Sequence, residues 1–176
     1  MLRSFCNLLD RIIGAIAFLA TLAAGVILVG MTGLIITEIF LRNVLQTSTG
    51  YSEEFVSYGL ASIIFLAFAA AMREGSLIRV DLVISRLPTG ARWGTEIALV
   101  TVTLCTMLFL TWFIWGSLAR YWKTGAVSWS VAAIPLWIPH SVALFGIAIF
   151  CAALLVYLLR LILGEDVMRE NQSSLD

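Results

Sequence analysis

From Phe55 to Met72 the chain runs 18 residues without a charge, bounded by Glu53-Glu54 before and Arg73-Glu74 after. A helix rises about 1.5 Å per residue, so such a run comes close to crossing a hydrocarbon core about 30 Å thick. Carboxylates at its start suit the positive end of the helix dipole, and arginines gathered after its end fit a cytoplasmic flank. Three further apolar runs of comparable or greater length share the chain, which is 61% hydrophobic and 12% charged. A soluble domain is nearer half apolar and a quarter charged, so the composition specifies an all-α integral membrane protein. The net charge of zero gives no electrostatic reason to expect nucleic acid or an acidic partner.

The chain reads as one membrane domain, residues 1–176, with spans at about 12–40, 53–73, 94–120 and 135–163. Residues 1–11 form a short amphipathic lead suited to the membrane surface, and no cleavage site after the first run suggests a removable signal. Gly14, Ala17, Thr21, Ala24, Gly25, Gly30 and Gly33 give the first span small residues that would admit a neighbouring helix. Glu38 and Arg42 close that span four residues apart, the acid first, as a helical ion pair prefers. The polar turn that follows is short enough to make the second span antiparallel, and Ser52 is a plausible N-cap for it.

Residues 77–87 are too short to span. They hold Arg79, Asp81 and Arg86, with Leu77, Val80, Val83, Ile84 and Leu87 on one helical face. This predicts an interfacial amphipathic helix between the second and third spans. Pro135 suits the first position of the fourth helix, Pro139 removes a further donor one turn on, and residues 165–176 form a polar tail. Eight arginines fall on the side of the two termini, against Arg42, Arg120 and Lys123 on the other, which predicts both termini in the cytoplasm.

No catalytic constellation, cofactor site or metal-ligand spacing is legible. Cys6, Cys105 and Cys151 are scattered in or beside apolar runs and read as packing residues. His140 is the single histidine, so the chain cannot give a haem two histidine ligands, and a structural hydrogen bond is its simplest role. Glu38 and Glu96 sit near span ends, where water is expected to reach them, and the four apolar cores carry no ionisable residue. Arg42, Glu53 and Glu54 are the leading site candidates. They read either as an ion-paired clamp or partner contact at the outer surface, or as solvated interfacial charges. Arg73, Arg79 and Asp81 read as an inner-surface group, or as plain topology determinants.

Arg42, Tyr51-Ser52-Glu53-Glu54, Ala70-Ala71-Met72-Arg73-Glu74-Gly75, Ile78-Arg79-Val80-Asp81 and Ile134-Pro135-Leu136-Trp137 together resemble the small, DctQ-like membrane subunit of tripartite ATP-independent periplasmic (TRAP) transporters. The family commonly has Trp where Tyr51 stands, and His where Leu77 stands. The resemblance implies a non-catalytic scaffold in the bacterial inner membrane. Its partners would be membrane lipids, a larger DctM-like permease subunit and a periplasmic substrate-binding protein. Uptake of organic acids, such as C4-dicarboxylates or sialic acid, would be driven by a sodium gradient. It also implies structural or docking roles for Arg42, Glu53 and Glu54, and a fixing role for Asp81 on the inner-surface helix. Two other readings stay open on the residues alone: a membrane anchor of a redox complex, and an autonomous four-span exporter.

Overall fold

The computed structural model describes residues 2–73, 89–130 and 132–163. It contains four helices long and apolar enough to cross a membrane: α1 (Leu2–Val44), α2 (Ser52–Arg73), α3 (Thr89–Thr124) and α4 (Trp137–Ile162). The expected interfacial helix at 77–87 and the tail at 165–176 lie outside the described residues, as do Arg79 and Asp81.

The expected surface lead is not a separate element. It is the first three turns of α1, a single helix of 43 residues. No glycine or proline interrupts residues 2–13, and nothing in the local sequence stops the helix there. At about 1.5 Å per residue α1 reaches some 64 Å, twice the hydrocarbon thickness, so it must continue past the membrane boundary.

The fourth helix starts at Trp137, two residues later than Pro135 suggested. Pro135 instead forms an antiparallel bridge with Val127, and Leu136 N–H donates to the Ala126 carbonyl at 3.1 Å. Pro139 then falls in the first turn of α4, where its missing N–H would have had no intrahelical partner.

The most buried helix is α4. Half of its membrane-crossing stretch is enclosed, against 6% for α3. It packs on all three other helices, whereas α3 packs extensively on α4 alone, and α1 and α2 form an antiparallel hairpin against α4's other side. The core runs through Ala17, Ala20 and Ala24 of α1, Leu66, Ala69 and Met72 of α2, Leu104 of α3, and Ile147, Phe150 and Leu154 of α4. Phe68 and Phe150 meet at 5.4 Å between ring centres.

Packing sorts the small residues of α1 into two sets. Ala17 and Ala24 face inward, while Gly25, Gly30 and Gly33 have no neighbouring atom within van der Waals reach. A glycine that permits a close backbone crossing is Gly146 of α4. A methyl group there would lie 2.5 Å from the carbonyl oxygen of Phe65 and 2.9 Å from the nitrogen of Leu66. Backbone cannot yield as a flexible side chain can, so the α2 and α4 backbones come this close at Gly146 only because the position carries no Cβ.

The end of the bundle that holds the start of α1 and the end of α4 is tied by polar contacts. Arg160 pairs with Asp10 at 3.3 Å, both side chains largely covered. The Trp93 indole N–H donates to the Leu161 carbonyl at 3.2 Å, and the Tyr157 hydroxyl donates to Glu96.

We expect Gly146→Ala to destabilise the bundle by about 1–3 kcal/mol, as overpacking of a close contact does. Gly25→Ala should stay within about 0.5 kcal/mol, because its Cβ would enter open space. Unfolding in mixed detergent micelles reads the difference, and equal stabilities for the two variants would contradict this description of the α2–α4 crossing.

Candidate functional site: a carboxylate-centred hairpin end

At the opposite end of the bundle α1 passes into α2 through residues 45–51, and α3 passes into α4 through residues 125–136. Gln46 and Gly50 adopt left-handed backbone, at φ 50° and 73°, which turns the chain back within a few residues. Gly50 takes this conformation without steric cost.

Glu38 is the organising group. It stands one turn before Arg42 on α1 and is 7% exposed. One carboxylate oxygen accepts from Arg42 Nε at 2.8 Å and from the Ser48 hydroxyl at 2.6 Å. The other accepts from Thr49 N–H at 3.2 Å, from the Thr49 hydroxyl and from the Ser52 hydroxyl at 2.7 Å. An ionised carboxylate only accepts, and these donors fill its lone-pair sites. The group is covered by its own turn at the bundle's end. The end of α1, the whole turn and the first residue of α2 therefore converge on one side chain. Ser52, expected as an N-cap, is the first residue of α2 and donates its hydroxyl to Glu38.

The expectation that water reaches Glu38 and Glu96 is corrected here. Both are buried, at 7% exposure each, because the polar turn folds over the first and Tyr157 covers the second. The ion pair read from the Glu38–Arg42 spacing is formed.

The structure separates the other candidates. Glu53 projects outward with its side chain 93% exposed, and its nearest oxygen is 3.8 Å from Arg42 Nη2. A pair so exposed and so long contributes little. Glu54 has a different set of neighbours. It accepts from the Tyr58 hydroxyl at 2.8 Å, and its second oxygen is buried beside the hydroxyls of Ser130 and Ser128, without a hydrogen bond of good geometry among the described residues. Glu54 thus stands between the start of α2 and the serines of the α3–α4 loop, while Arg42 and Glu38 link α1 to α2. Arg73 is the last residue of α2.

The described residues of the α3–α4 loop are held to one another by hydrogen bonds. Ser128 N–H donates to the Ile134 carbonyl at 2.8 Å, and Ile134 N–H to the Ser128 hydroxyl at 3.1 Å. His140 places Nδ1 2.8 Å from the Leu136 carbonyl oxygen and meets the Tyr121 ring edge-on at 4.8 Å, as a hydrogen-bonded structural residue would.

Sequence reasoning passed over the hub role of Glu38 and the serines opposite Glu54. A signal for the first was present: an acid near a helix end followed within fourteen positions by Ser48, Thr49 and Ser52, the last separation given by the Glu38–Ser52 bond. Tyr58 also stands four residues from Glu54, a spacing that puts the two on one helix face.

Fold and site together define a multi-pass helical membrane protein whose described polar chemistry gathers at the two ends of its bundle. Residues 31–164 match the family model for tripartite ATP-independent periplasmic transporters, DctQ component, and the chain belongs to that family. No curated protein and no solved structure matches it.

Glu38→Ala should lower the thermal midpoint of the purified protein far more than Glu53→Ala, because it strands the donors of Arg42, Ser48, Thr49 and Ser52 together. Equal shifts for the two variants, read by dye-monitored melting in detergent, would show that the turn holds its shape without the carboxylate.

Proposed function

We propose that this chain is the non-catalytic scaffold subunit of a sodium-gradient-driven transporter for organic acids. Its partners in this reading are a larger DctM-like permease subunit, which carries the substrate and sodium sites, and a periplasmic protein that delivers the substrate. The family match supports the transporter assignment. The single observation that carries the scaffold role is the engagement of the two most buried carboxylates, Glu38 and Glu96. Glu38 is occupied by its turn and Glu96 by Tyr157, both in contacts that hold helices to one another. A transport site for an acid and a cation needs polar groups that are free to exchange partners, and an unpaired carboxylate in hydrocarbon is very costly.

In this reading Arg42, Glu53 and Glu54 act as interhelix and docking residues on the periplasmic side. Glu53 and half-exposed Arg42 offer the outward charges there, and Glu54 lies beside the serines of the neighbouring loop. Arg73, Arg79 and Asp81 mark the cytoplasmic side, with both termini in the cytoplasm of a cell whose inner membrane holds the complex.

Two experiments test the proposal. Cysteines placed at 47–50 and 125–128 should react with an impermeant reagent added outside, and one at Thr89 should not; outside labelling at Thr89 reverses the topology. In liposomes with an imposed sodium gradient, the chain should support uptake only when the permease and binding protein are both present. Uptake of any organic acid by the chain alone would replace the scaffold with an autonomous carrier.

A further inference from the structure

A groove of about 430 Å³ lies between the last three turns of α3 and the first two turns of α4. Trp115, Leu118 and Trp122 form one wall, at the three- and four-residue spacing that keeps them on one helix face. Trp137 and Ser141, four residues apart on α4, form the other. The rings of Trp122 and Trp137 meet edge-on at 5.0 Å and join the two walls. The walls are apolar. The Ser141 hydroxyl is given to the Ile138 carbonyl at 2.7 Å, and Lys123 contributes its hydrocarbon stem.

The level of the groove is set by where the chain turns. At this end of the bundle α1 stops at Val44, α2 begins at Ser52, α3 stops at Thr124 and α4 begins at Trp137. Irregular backbone has no hydrogen-bond partners in lipid, so these turns lie at the membrane boundary. Lys123, in the last turn of α3, therefore stands at headgroup level. Trp115, eight residues back along the helix, is about 12 Å deeper, among the acyl chains. Lys123 is exposed and has no ion pair among the described residues.

Shape selects the class of occupant. A groove of about 430 Å³ that runs about 12 Å along the helix averages roughly 7 Å across. A helix with its side chains is about 10–12 Å wide, whether it belongs to a second copy or to another subunit, and does not seat in it. An unbranched acyl chain is narrower and as apolar as the walls. Charge selects the headgroup. None of the lining residues is acidic, and the cation at the mouth lacks a partner. A phosphate supplies one, most effectively on a lipid that brings no ammonium group of its own to compete with Lys123.

We propose that this groove binds an anionic glycerophospholipid, with one acyl chain lying against Trp115, Leu118 and Trp137 and the headgroup phosphate paired with Lys123. The lipid then fills the cleft between α3 and α4 at the level where their apolar contact opens. The site rests on the membrane spans and the groove alone, not on the proposed transporter role, so either reading stands if the other fails.

The test uses the full chain in phosphatidylcholine nanodiscs that carry a small share of lipid brominated on its acyl chains, which quenches the indoles it touches. Brominated phosphatidylglycerol should quench at a mole fraction about five-fold lower than brominated phosphatidylcholine, the contribution of one lysine near an anionic headgroup. Lys123→Gln should abolish that preference, and Lys123→Arg should keep it. Ser141→Phe puts a ring into the groove with the cation in place and should abolish it too; the variants at exposed Lys123 carry the test if this one does not fold. In cells, a photo-cross-linking amino acid at position 118 should give an adduct of phospholipid mass. Equal quenching by the two lipids, or a preference that survives Ser141→Phe, reduces the site to bulk lipid or surface charge and overturns the inference. A cross-link from 118 to a second copy or to another membrane protein overturns it as well.

Discussion

One carboxylate sets the shape of the hairpin end. Two apolar helices can slide and rotate against each other at little cost in lipid, because lipid tails are as apolar as the side chains they would replace. Register between α1 and α2 therefore needs a directional contact, and Glu38 supplies it by accepting from α1, from the turn and from α2 at once. Every donor it uses lies within the stretch from Arg42 to Ser52, so the contact forms as soon as the turn does. With α1 and α2 fixed, the glycine crossing at Gly146 has a defined surface to meet, and α4 can seat between the hairpin and α3.

The other end is tied by different means. Asp10 with Arg160 and Glu96 with Tyr157 join helices remote in sequence, and Trp93 adds an indole bond to a carbonyl at the end of α4. Between the two ends the core contacts are mostly apolar, with alanines on α1 and branched and aromatic residues on α4, and one Thr111–Cys151 contact at 3.9 Å between α3 and α4. Such a division leaves α1 and α3 with broad apolar faces turned outward.

The four spans were legible because length and the lack of charge decide them almost alone. Glu38–Arg42 was legible because both partners stand on one helix at a fixed spacing. The burial of Glu38 and Glu96 was not, since it depends on where a turn and a distant tyrosine settle. The Asp10–Arg160 pair is likewise invisible in a linear reading, because its partners meet only after four helices have packed. Misplacing the start of α4 has a local cause: Pro135 has the right geometry for a first helical turn, but its neighbours are drawn into the bridge with Val127.

The tie at Glu38 is tested most directly by a double-mutant cycle with Ser52, read as thermal stability in detergent. If the carboxylate joins α1 to α2 through that hydroxyl, Ser52→Ala should cost much less in a Glu38→Ala background than in the wild-type protein. Purely additive losses would mean that the two side chains act independently, and that the hairpin end is held by something other than Glu38.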